Sequence, residues 1–181
     1  MSNAMNGASQ SLVTGQNILG KIYFPRVIFP LTPVIAKLID FIISMILIVA
    51  VMIYYGVNVT SQIIYLPLFL LVMIAVPIGI GLWLSALAIR YRDVKFAMTF
   101  AVRMLMYTAP IVYSATNIPD AYRFYYSLNP IVGVIEGFRA CILGTPLQWQ
   151  FIWPGVIASL VLVVTGLIYF RKMEKVFVDV I

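Results

Sequence analysis

Two charged residues fall inside otherwise apolar stretches. Asp40 and Arg103 each lie seven residues past the start of an apolar run, at Pro33 and Phe96. If both runs enter a membrane from the same side, each charge sits roughly 10 Å deep. Such charges face a bundle interior or water. They could therefore pair with each other across two helices, or Arg103 could line a wet path for an anionic substrate. Alternatively Lys37 takes Asp40 at i,i+3 and Arg103 snorkels to the interface. A second i,i+3 pair, Glu136 and Arg139, stands in a separate apolar segment. Tyr107, Tyr113, Tyr122, Tyr125 and Tyr126 combine aromatic faces with hydroxyls, which would suit a sugar chain sliding past; an interfacial aromatic belt is the plainer reading. The stretch containing Asn17, Lys21, Tyr23, Phe24, Pro25 and Arg26 is a short amphipathic piece with a cationic end. It can dock another protein or lie on a membrane surface.

Other chemistry is ruled out by residue type. Histidine is absent and Cys141 is the sole cysteine, which removes His/Cys metal sites and Ser-His-Asp or Cys-His catalysis. No Gly-x-x-x-x-Gly-Lys-Ser/Thr loop is present. Any ATP and magnesium must then belong to a partner chain, and no cofactor is expected on this one. A membrane-embedded glycan-processing enzyme would need acids at the membrane face. The outer segment offers only Asp120 and Glu136, sixteen residues apart.

The elements that must position these residues follow from composition. The chain has 181 residues, 63% hydrophobic and 10% charged, against roughly 25% charged in soluble domains. An all-α integral membrane protein is the fold class implied. From Phe41 to Ile89 no residue is charged. A single helix of that length would run roughly 73 Å, against a hydrocarbon core of about 30 Å, so the chain turns back at Gly56–Gln62. Four spans result, at 33–55, 63–89, 96–113 and 151–170. Nine of the twelve basic residues fall on alternate connections. The positive-inside rule then places both termini and the Tyr91-Arg92-Asp93 loop in the cytoplasm. The net charge of +6 accordingly reads as membrane topology and not as nucleic-acid binding.

Residues 114–150 are too apolar for an exposed loop. Asn129 reads as an N-cap, Pro130 as the first helical residue and Gly144 as the stop. The resulting helix, 130–143, is too short to cross, and a second short piece covers 120–128. Two half-length helices on one side suggest elements dipping into the outer leaflet against protein, in preference to an amphipathic pair lying flat.

Read in order, several landmarks resemble one family. They are Asn17-Ile18-Leu19-Gly20-Lys21-Ile22-Tyr23-Phe24-Pro25-Arg26 with Pro30, Asp40-Phe41, Tyr91-Arg92-Asp93-Val94 and Ala109-Pro110-Ile111-Val112-Tyr113. Asn129-Pro130-Ile131 running into Glu136-Gly137-Phe138-Arg139, and the closing Phe177-Val178-Asp179-Val180-Ile181, complete the set. The set is similar to the transmembrane subunits of ABC-type polysaccharide exporters, the type-2 ABC membrane domain, which move O-antigen, capsular or teichoic-acid chains. The resemblance implies a homodimer with a channel between subunits, each bound to an ATP-hydrolysing subunit, in the bacterial cytoplasmic membrane. It makes residues 1–30 a cytoplasmic coupling region and 114–150 an outer gate segment, with Pro110 and Tyr113 just ahead of it among the gate and channel residues. It also implies an amphipathic helix and two spans ahead of this region, so that Ser2-Asn3-Ala4 looks like the end of a second span and not a cloning scar. Arg103 departs from the neutral or amide residue the resemblance would lead one to expect. The substrate expected is a lipid-linked polysaccharide. An exporter of small hydrophobic molecules and a non-transporting truncated remnant are the alternatives.

Overall fold

The computed structural model describes residues 1–15, 25–57, 60–91, 93–111, 113, 115 and 118–174, and among these every regular element is helical. In chain order the α-helices are α1 (Ser2–Thr14), α2 (Ile28–Tyr54), α3 (Leu66–Arg90, preceded by a 3-10 turn at Ser61–Tyr65), α4 (Val94–Tyr107), α5 (Asp120–Ser127), α6 (Pro130–Leu143) and α7 (Trp149–Glu174).

Three of these helices are long and apolar enough to cross a membrane: Ile28–Tyr54, Ser61–Arg90 and Trp149–Glu174. Span one begins five residues ahead of the expected Pro33. Pro30 falls in its first turn, where a missing N–H costs little, while Pro33 stands inside the helix. The expected third span, 96–113, is helical only to Tyr107. Its 14 residues make roughly 20 Å, so three helices and not four reach spanning length. The cause is Pro110, which disfavours the α conformation at Ala109 and stops propagation.

Residues 1–30 were expected to form one cytoplasmic region. The helix α1 instead lies inside the bundle, with Met5, Ala8 and Leu12 fully buried against α2, α3 and α4. Leu12 joins Leu82, Ile89, Phe170 and Met173 in one cluster, and Met5 joins Val76, Val102 and Ile131 in another.

The most extensive helix pair is α3 with α7. A Cβ on Gly79 would stand 2.8 Å from the backbone of Leu162, so only glycine permits this approach. Small residues at such crossings let backbones close in where no solvent drives helices together. Trp83 Nε1 donates to Thr165 Oγ1 at 3.1 Å and its ring stacks on Tyr169. The outward faces of α2 (Ile35, Ile39, Ile42, Ile46) and α7 (Ile157, Leu160, Val164, Ile168) are exposed and aliphatic, the surface a hydrocarbon solvent would meet.

Candidate functional site: the 114–150 segment and the end of α4

Asn129 precedes α6 in an extended conformation, and its Oδ1 accepts a hydrogen bond from the Ile131 amide at 3.1 Å. Pro130 follows at the first helical position. At the far end Gly144 adopts φ +69°, the left-handed geometry that glycine supplies at a helix stop. These boundaries match the expected 130–143 to the residue.

The other half of the Asn129 amide works on a different helix. Its Nδ2 donates to the Leu105 carbonyl and to Thr108 Oγ1, both at 3.1 Å. Leu105 lies in the last turn of α4, where carbonyls lack helical partners. One side chain therefore caps the start of α6 and the end of α4 together. An amide can do this because it carries donor and acceptor on one group.

The i,i+3 pair forms as expected, and it does more than pair. Glu136 Oε1 accepts from Arg139 Nη1 and from the Ala115 amide at 2.8 Å. Arg139 Nη2 donates to the Pro110 carbonyl at 2.7 Å. The backbone at Pro110 and Ala115 lies outside the α-helices, and its polar groups would be costly in an apolar setting. Glu136 supplies an acceptor and Arg139 a donor, so the two charges satisfy each other and two groups of that backbone. Tyr113 and Tyr126 close the same junction through their hydroxyls, 3.0 Å apart. Burial first, then the hydrogen bond to Tyr113, pushes the Tyr126 phenol above its ordinary value, so it stays neutral as a bonding partner.

The structure thus gathers Pro110, Tyr113, Tyr126, Asn129, Pro130, Glu136 and Arg139 at one junction. Tyr122 and Tyr125 are not part of it; both stand exposed on α5. Leu105, Thr108 and Ala115 belong to the junction and escaped sequence reading. The signal available was Thr108-Ala109-Pro110, a helix stop inside an apolar run.

Asp40 and Arg103 do not pair. Asp40 Oδ2 accepts from Lys37 Nζ at 2.7 Å, beside a cavity of about 280 Å³ bounded by α1, α2 and α3. Arg103 is exposed on α4. The reason is α1, which packs on both α2 and α4 and keeps them apart.

Asn17, Lys21, Tyr23, Phe24 and Arg92 lie outside the described residues. Pro25 is exposed. Arg26 Nη1 donates to the Glu174 carbonyl at 3.0 Å, a cation at a helix C-terminus. Tyr91 is exposed beneath the Arg90 guanidinium, and Asp93 precedes α4 without capping it.

The family model for the ABC-2 type transporter matches residues 1–143. The chain belongs to the ABC-2 transporter family. Among curated proteins it is similar to the O-antigen export system permease protein RfbA of Klebsiella pneumoniae, 23% identical over 172 residues. That match covers 94% of this chain and 66% of the relative. A protein of the same name from Myxococcus xanthus is 22% identical over 141 residues, covering 77% of this chain and 54% of the relative. The ABC-2 chain described here therefore spans just under two thirds of the length of its Klebsiella relatives. Its family membership and three apolar helices make it a multi-pass membrane protein.

Proposed function

We propose that this chain is the membrane-spanning part of an ATP-driven exporter of lipid-linked polysaccharide of the O-antigen, capsular or teichoic-acid type. The exporter works as a homodimer in the bacterial cytoplasmic membrane, each subunit bound to an ATP-hydrolysing chain through residues 16–26. The 16–26 stretch and the C-terminus face the cytoplasm, and α4 makes the remaining crossing. The α5–α6 unit closes the outer end of the path, and it parts from the end of α4 when substrate passes.

The observation that carries this reading is the junction built by Asn129, Glu136 and Arg139. It holds two helices too short to cross a membrane against the end of a third that is also too short. Irregular backbone of this kind is tolerated at membrane depth only where protein or a cavity covers it. The permeases named for O-antigen export that align with most of the chain support the substrate class.

Deletion of the gene tests the function. Lipid-linked glycan should accumulate in the cytoplasmic leaflet and vanish from the cell surface, with both restored by the full-length gene. Normal surface glycan in the deletion, with sensitivity to hydrophobic drugs in its place, would move the assignment to a small-molecule exporter.

A further inference from the structure

The buried side of α4 is formed by Met98, Val102 and, just past its end, Ala109. Its opposite side carries Phe96, Phe100, Arg103, Met104 and Tyr107, all exposed. At 100° per residue Phe96, Phe100, Arg103 and Tyr107 fall within roughly one 60° sector. This surface differs in kind from the aliphatic outward faces of α2 and α7. It is aromatic, with a guanidinium in its middle.

The height of that guanidinium is fixed by packing. Val102, its neighbour in sequence, shares a buried cluster with Val76, close to the centre of the 25-residue α3. Arg103 therefore stands at mid-height of the bundle, where a lone cation is costly. It makes no hydrogen bond or ion pair among the described residues. The acids among the described residues do not offer one. Asp40 and Glu136 are already paired, while Asp93, Asp120 and Glu174 lie at helix ends. A second copy packed symmetrically on this face would bring another Arg103 and not a carboxylate.

We propose that Arg103 binds the phosphate linker of the lipid-linked substrate as it moves along the α4 face, with Phe96, Phe100 and Tyr107 taking the apolar and sugar portions on either side. An anion passing this surface meets a planar fork of donors suited to phosphate oxygens, and the cation is neutralised only while substrate is present. The proposal rests on the exporter reading above.

The test uses the full-length permease purified with its ATPase. Binding of farnesyl diphosphate is compared between wild type, Arg103→Gln and Arg103→Lys, with farnesol as the uncharged control. The same proteins are titrated in phosphatidylglycerol and phosphatidylcholine nanodiscs. Wild type should bind farnesyl diphosphate and not farnesol. Arg103→Gln should lose roughly tenfold or more in affinity, the weight of a hydrogen bond to a charged group, and Arg103→Lys, which keeps the charge without the fork, should fall between the two. The position is exposed, so both variants should elute from size-exclusion chromatography as wild type does. Equal affinity in wild type and Arg103→Gln overturns the site. So does a difference between them that disappears in phosphatidylglycerol, which would make Arg103 a ligand of ordinary lipid headgroups. If Arg103→Gln binds diphosphate normally while its complex still exports glycan, the site alone fails. If the chain never assembles with an ATPase, the exporter reading fails with it.

Discussion

Two ion pairs in this protein share one sequence spacing and differ in everything else. Lys37–Asp40 and Glu136–Arg139 are both i,i+3 on apolar helices. The first is open, with its side chains 45% and 62% exposed beside the cavity between α1, α2 and α3. The second is 4% exposed at Glu136 and 21% at Arg139, and it holds the backbone at Pro110 and Ala115. The lesson is that spacing settles whether two charges can meet, while the packing around them settles what their meeting does. A pair that opens to a cavity wide enough for water gains little over its hydrated parts. A buried one becomes indispensable once formed, because removing either partner strands the other.

The sharpest way to break the contrast is at Glu136. Glu136→Ala leaves Arg139 without its carboxylate and the Ala115 amide without an acceptor, and should cost about 3–5 kcal/mol in denaturant unfolding of the detergent-solubilised protein. Asn129→Ala removes a cap from each of two helices and should cost about 1–2 kcal/mol. Asn129→Asp should lose less, since it keeps the acceptor for Ile131 and gives up only the donor to Leu105. The smallest effect belongs to Asp40→Asn, expected within about 1 kcal/mol of wild type and without a resolvable change in melting temperature. If Asp40→Asn proved as damaging as Glu136→Ala, exposure would not be what separates the two pairs.

Much of this was legible beforehand because it depends on local chemistry. The α6 boundaries follow from Asn129-Pro130 and Gly144, whose backbone preferences act within a few residues. The turn at Gly56 likewise needs only a polar, glycine-containing break between two apolar runs. Both charge pairs follow from helix periodicity. The features that escaped depend on contacts between elements distant in sequence. Nothing about Arg26 announces that it caps the end of α7, 148 residues away. Asp40 and Arg103 look like partners by depth alone, and the insertion of α1 between their helices is what separates them. The short α4 is an intermediate case. Pro110 marks its end plainly, yet the apolar residues on either side hide the stop from a hydropathy reading.

The central claim is that the α5–α6 unit must part from the end of α4 for substrate to pass. Cysteines replacing Tyr113 and Tyr126, whose hydroxyls meet at 3.0 Å, allow the junction to be tied with a short reducible bis-maleimide. Cys141 is buried and its thiol is pushed up by that burial, so background labelling should be low. Tied protein, assembled with its ATPase, should continue to hydrolyse ATP while glycan export falls at least about tenfold, and cleaving the linker should restore export. Export at the wild-type rate through a tied junction would contradict the account.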